Sequence, residues 1–169
     1  MSHTSHGVLT IVAAGLLVLF LGGRRLGAEQ TTAPLTFAQT LAKHLAAIDA
    51  RDWPAFAATL THQDRLTLIL PSGRYSEDLA DYKKQMKAWL ADPAWSWKTT
   101  LLHTRQGKDW GLALLKVHYQ EKDEQGKIHS LDYLLNLVFQ QEDGEWRLIH
   151  DQNTRIVGDS LPENQADRT

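Results

Sequence analysis

The chain of 169 residues contains no cysteine. Disulfides, thiolate metal sites, cysteine nucleophiles and a cysteine-linked lipid anchor are thereby excluded. Charge of one sign is not in excess either: 18 Lys and Arg against 20 Asp and Glu leave a net charge of −2 and a pI near 6.4. With no Lys/Arg run to offset that balance, nucleic acid is not an expected partner. Eight histidines are present, but no His-x-x-x-His or His-Glu-x-x-His helix motif joins them. His62 with Asp64 is a lone short pair, and His150 with Asp151 are strand neighbours that point apart, so no metal site is expected. A phosphate-cradling glycine loop and a Gly-x-Ser-x-Gly elbow are also missing. The chain therefore reads as cofactor-free.

Long apolar runs are scarce too. Val8 to Leu21 is apolar but for Thr10 and Gly15, a length that suits a signal-peptide core and falls short of the roughly 20 residues of a spanning helix. Leu26-Gly27-Ala28 can serve as a cleavage site. Against this, Met1 to Gly7 carries no Lys or Arg, and Arg24-Arg25 follows the apolar run. An uncleaved anchor extended through Gly23 is the alternative. Either reading puts the folded part outside the cytoplasm, periplasmic or secreted. The expected organisation is a leader or anchor over 1–28, a linker over 29–35, one domain over 36–156 and a disordered tail over 157–169.

What is there is patterned. Thr36 with Gln39 forms a capping box, and Phe37, Leu41, Leu45 and Ile48 recur at helical spacing to about Ala50. Asp52 caps a short second helix with Pro54 in its first turn and Phe56 and Leu60 facing inward. Arg65 to Leu70 reads as a strand, and Pro71-Ser72-Gly73 turns it into a brief return at Arg74-Tyr75. Ser76 is the expected cap of a third helix whose stripe is Leu79, Tyr82, Met86, Trp89 and Leu90, ended by Asp92-Pro93. Strands follow over Trp95–Arg105, Asp109–Glu121 and Lys127–Gln141, then a last one to Ile156. Helices first and an antiparallel meander after them define an α+β fold, three helices covering one face of a curved, mainly antiparallel sheet.

The last hairpin sorts residues by face. Asp143-Gly144 is a two-residue turn signal. Counting outward from it, Trp146, Leu148, His150, Gln152 and Thr154 share the inner face with Gln141, Phe139, Leu137, Leu135 and Tyr133. Asp151, Asn136 and Asp132 fall on the outer face. Three-residue loops at Glu124–Gly126 and Gln106–Lys108 add Tyr119, Val117, Leu115 and Ala113, then His103, Leu101, Thr99, Trp97 and Trp95. The expected cavity wall is Trp95, Trp97, His103, Tyr119, Tyr133, His150 and Gln152, and six tryptophans favour an aromatic-lined interior.

The element order, with Pro71-Ser72-Gly73-Arg74 after the first strand and Gly144-Glu145-Trp146-Arg147-Leu148-Ile149-His150 at the end, resembles the nuclear-transport-factor-2-like superfamily. Within it the chain looks most like the SnoaL-like and ketosteroid-isomerase-like proteins of bacteria. The resemblance implies a cone, a strongly bent mixed sheet wrapped around three helices, often dimerising through the outer sheet face. It also implies a menu that spans isomerases, dehydratases, cyclases, epoxide hydrolases and non-catalytic binding or assembly domains. Enzymes of this kind usually hold an Asp or His inside the cone, and the matching positions here are Asp64 and His150. The Tyr-plus-protonated-Asp pair of the isomerases has no counterpart on the inner face.

Three functions are expected on these grounds. The first is a binding domain for a small apolar or amphipathic molecule. The second is a cofactor-independent isomerase, dehydratase or cyclase in which His150 and Asp64 transfer protons. The third is an envelope assembly module that forms a homodimer through the outer sheet face.

Overall fold

The computed structural model describes residues 34–158. The 1–28 leader or anchor and most of the expected 157–169 tail lie outside the described residues, as does much of the 29–35 linker. The helices and strands of the described residues all belong to one compact unit, which begins at Ala33.

Helix α1 (Phe37–Asp49) opens on the capping box, Thr36 accepting from the Gln39 N–H while the Gln39 side chain returns to the Thr36 N–H. It closes with Arg51 in the left-handed region at φ 55°. There the Arg51 N–H reaches the Ile48 carbonyl at 3.0 Å and the Asp52 N–H reaches Ala47 at 2.8 Å, a helix end that glycine usually occupies. Helix α2 (Trp53–Ala57) is capped by Asp52, whose carboxylate accepts from the Ala55 N–H. Strands β1 (Arg65–Ile69) and β2 (Tyr75–Asp78) lead into α3 (Leu79–Ala91). Its cap is Asp78, accepting from the Asp81 N–H at 2.7 Å. Ser76, expected in that role, lies inside β2, because the return strand runs further than the Pro71-Ser72-Gly73 turn suggested.

Strands β3 (Trp95–Gln106), β4 (Trp110–Lys122), β5 (Ile128–Glu142) and β6 (Glu145–Arg155) form the meander. The six strands are ordered β2-β1-β6-β5-β4-β3; β1 is parallel to β6 and every other pair is antiparallel. Asp143 and Gly144, at φ 50° and 83°, make the expected turn. The β4–β5 register is also as expected, with Tyr119 opposite Leu131, Val117 opposite Tyr133, Leu115 opposite Leu135 and Ala113 opposite Leu137.

Two bulges break the alternation. In β6, Leu148 pairs with Phe139 but His150 pairs with Val138, so Ile149 is an extra residue. It sits where β6 changes its other neighbour. Leu148 exchanges backbone bonds with Thr59 and Thr61, whereas from His150 onward β6 pairs with β1. In β3, Leu101 pairs with Leu115 but His103 pairs with Leu114, leaving Leu102 extra. An extra residue flips every side chain beyond it to the other face.

The core lies between α1, α2, α3 and the inner face of the sheet, with Phe56, Leu115, Leu137, Phe139 and Leu148 fully buried. Phe37 lies so close over Gly111 that a Cβ there would meet its ring at 2.6 Å.

Candidate functional site

A cavity of about 320 Å³ opens between helices α1 and α3 and the inner sheet face, within the range of small-molecule sites. Its wall is largely apolar: Ile48 from α1, Leu68 and Leu70 from β1 and the turn after it, Met86 and Trp89 from α3, Trp97 from β3, and Tyr119, Leu131, Tyr133, Leu135 and Leu137 from β4 and β5. Its polar groups are His44, Gln85, Asp151 and Asn153, together with the tyrosine hydroxyls.

Asp151 is the chemically distinctive member. It is 7% exposed and stands opposite Leu137 on β5 and Leu68 on β1. Tyr82 donates to its Oδ2 at 3.0 Å, and the Asn153 amide donates to its Oδ1 at 2.9 Å. The same amide reaches the Ile69 carbonyl at 3.1 Å. Burial pushes the carboxyl up to about 6; the two hydrogen bonds and the nearby His150 charge pull the other way and only partly offset it.

His44, 1% exposed, lies on the stripe of α1 between Leu41 and Ile48. The Thr59 hydroxyl donates its one hydrogen to the Phe56 carbonyl at 2.7 Å, so the 2.7 Å contact with His44 has Nδ1–H as donor. Burial holds the imidazole down at about 3, hence neutral. Nε2 is left as an acceptor with no hydrogen bond among the described residues.

The aromatic wall is braced from outside. Trp95 stacks on Trp89 with ring centroids 4.1 Å apart, and the Arg51 guanidinium covers Trp95 at 3.8 Å. Arg51 also donates to the Trp95 carbonyl at 2.6 Å and to the Asp92 carbonyl. Trp97 meets Trp89 edge to face, and its Nε1 donates to Asp49 at 2.7 Å.

Of the residues expected at the wall, Trp97, Tyr119 and Tyr133 line the cavity. Trp95 is buried one layer behind, its Nε1 donating to the Trp89 carbonyl at 2.6 Å. The inner-face placements of His150, Gln152 and Thr154 are corrected by the Ile149 bulge. His150 and Gln152 turn to the outer face, where they contact each other at 3.3 Å. His103 is displaced in the same way by the Leu102 bulge and is exposed. Asp64 is exposed at the strand entry, its carbonyl accepting from the Leu79 N–H at 3.1 Å. His150 and Asp64 do not line the cavity. Asp151, expected outside, lies inside, and so does Asn153. The spacing Phe37, Leu41, His44, Ile48 is the signal that could have placed His44; Asp151 had none, because its parity opposes that of Leu148.

A bent six-stranded mixed sheet over three helices, with a ligand-sized hollow between them, is the cone of the nuclear-transport-factor-2-like superfamily. Within that class the chain belongs to the SnoaL-like family: the SnoaL-like domain matches residues 38–154. Among curated proteins none matches the chain. Solved structures share the fold at low identity. A candidate dehydratase of the NTF2-like family from Streptomyces avermitilis is 11% identical, with a TM-score of 0.60, covering 71% of this chain and 94% of its own. A ketosteroid isomerase-like protein from Erwinia carotovora atroseptica is 17% identical, with a TM-score of 0.55 and coverage of 70% and 92%. The association domain of C. elegans CaMKII is 17% identical, with a TM-score of 0.50 and coverage of 69% and 91%.

Proposed function

We propose that the domain takes up one small, mainly apolar molecule inside the cone and sets its polar group against Asp151. The observation that supports this is the cavity of about 320 Å³ whose wall is mainly aliphatic and aromatic, with a buried carboxyl among its few polar groups. Phe139, which could have plugged it, is packed in the core. Native mass spectrometry of the full-length chain against a small-molecule library tests the reading. Bound mass is expected on the native chain and lost on Leu131→Trp, which fills the half-buried rim beside the core. A folded native chain that retains nothing from the library refutes it.

A second reading is supported by one observation. A carboxyl held up to about 6 inside an apolar site is matched to proton transfer near neutral pH. Acid–base chemistry would then run through Asp151 rather than through His150 and Asp64. Turnover lost on Asp151→Asn with binding retained is its expected signature.

Self-association through the outer sheet face is compatible with either reading. Leu112, Leu114, Leu134 and Val138 are half-buried there, and Asn136 Oδ1 is buried without a partner among the described residues. Sedimentation is expected to give a dimer that Leu134→Arg converts to monomer; a native monomer overturns it. Export or anchoring through residues 1–28 belongs to the same proposal and is supported by the sequence of that segment alone.

A further inference from the structure

Resting on the cavity reading, we propose that the polar group of the ligand is a protonated amine, held between Asp151 and the aromatic wall. The balance of hydrogen-bond donors and acceptors inside the cavity leads there. Nearly every side-chain donor of the lining is already committed. Trp97 Nε1 goes to Asp49, Trp89 Nε1 to the Tyr119 hydroxyl, the Tyr119 hydroxyl to Glu121, and one hydrogen of Gln85 Nε2 to Asp81. Both amide hydrogens of Asn153 are engaged, by Asp151 and by the Ile69 carbonyl, and two acceptor partners fix which end of that amide is nitrogen. His44 donates its N–H to Thr59. What remains among the described residues is the Tyr133 hydroxyl and the second amide hydrogen of Gln85.

Acceptors, by contrast, are left over. Each Asp151 oxygen accepts one bond and has room for another; Asn153 Oδ1 and His44 Nε2 have no partner among the described residues. A ligand that brings hydrogen-bond donors satisfies this surplus; one that brings acceptors does not.

Charge points the same way. No lysine or arginine is among the described residues that line the cavity, and burial keeps His44 neutral. Asp151 is thus a buried carboxyl without a cationic partner on the cavity side. The charged and titratable groups that act on it are Tyr82 from α3, Tyr133 from β5 and His150, its neighbour on β6 turned to the other face, while His44 from α1 lines the same cavity. At the rim, Arg155 shares its vestibule with Glu121 and His129 and gives no net attraction for an anion. Inside, Trp89, Trp97, Tyr119 and Tyr133 offer ring faces of the kind that hold ammonium groups. Acceptor surplus, a lone carboxylate and aromatic faces describe a receptor for an apolar amine.

Three probes with one indole body separate the possibilities: tryptamine as cation, tryptophol as neutral alcohol and indole-3-acetate as anion. Titration calorimetry of the full-length chain at pH 7.5 is expected to rank them in that order, tryptamine binding roughly tenfold or more tighter than tryptophol. Its advantage is expected to shrink at pH 5, where the Asp151 carboxyl, pushed up to about 6, takes a proton, and to vanish at both pH values in Asp151→Asn. Circular dichroism confirms that the variant is folded, and its residual pH dependence reports the surrounding groups. Tryptophol or indole-3-acetate binding as tightly as tryptamine, or Asp151→Asn keeping the preference, overturns the amine while leaving the cavity reading intact. If none of the three binds, the cavity reading fails and the amine inference with it.

Discussion

Two buried groups in the cavity wall make folding stability depend on pH with opposite signs. His44 is held down at about 3, against roughly 6.5 in an unfolded chain. Between those values the unfolded state carries one proton more than the folded state. This contribution is therefore fully present above about pH 6.5 and is lost as pH falls, at about 1.4 kcal/mol per pH unit. Asp151 is pushed up to about 6 from an ordinary 3.8. Between those values the folded state holds the extra proton, so its contribution is fully present below about pH 3.8 and is lost as pH rises through 6, about 3 kcal/mol in all. From pH 4 to 6 the two slopes cancel. Asp151→Asn removes one of them. The unfolding free energy of that variant minus that of the native chain is expected to climb by about 2 kcal/mol from pH 4 to pH 6.5, the other carboxylates cancelling in the difference. His44→Asn is expected to tilt the same difference the opposite way by a similar amount. Urea unfolding followed by tryptophan fluorescence, repeated across that range, measures both. A difference that stays level within about 0.5 kcal/mol for Asp151→Asn would show that its carboxyl titrates as if exposed, and the reasoning from burial would fall.

Other substitutions probe the frame around the site. Arg51→Ala removes two hydrogen bonds to carbonyls and the stacking on Trp95; a loss of about 2–3 kcal/mol in urea unfolding is expected. Arg51→Gly should recover roughly 1 kcal/mol of it by releasing the left-handed backbone; equal losses for the two would contradict that account. Gly111→Ala forces a Cβ against the Phe37 ring and should cost about 2 kcal/mol, with Phe37→Leu in the same chain restoring part; simple additivity of the two would refute the contact as cause. His150→Ala and Asp64→Ala, both off the cavity wall, are expected to leave tryptamine binding within about twofold of native by calorimetry, and a loss above tenfold for either would return them to the site.

Local chemistry made much of the fold legible. A cap needs only a few neighbouring residues, so the Thr36–Gln39 box and the Asp52 cap were readable. Asp143-Gly144 announced its turn because both positions take positive φ. The β4–β5 register followed from one loop length, since those strands run without a bulge from Trp110 to Lys122. Where the reading failed, the cause was non-local. Ser76 lost its role because β2 continued to Asp78. Trp95 and Trp97 share a parity, yet Arg51, reaching across from the end of α1, holds Trp95 in the layer behind the wall. Neither fact can be seen in a window of ten residues.

The largest failure is also the most instructive about the site. Period-two counting assumes that a strand has the same number of residues as its partner over the same span. In β6 that assumption holds until Leu148 and ends at Ile149, where the strand leaves Thr59 and Thr61 and takes up β1. Had the alternation continued, the cavity side of β6 would carry His150, Gln152 and Thr154, a floor with donors of its own and no negative charge. With the bulge it carries Asp151 and Asn153, and the donors go outside. One extra residue thus sets which polar groups face the hollow, and the proposed preference for a ligand bearing donors rests on that bulge. Deleting Ile149 tests this account. In a regular strand His150 then follows Leu148 on the outer face and Asp151 stays on the cavity side, so the order of the three indole probes is expected to hold. A folded variant that loses the preference for the amine would show that something other than strand parity places Asp151.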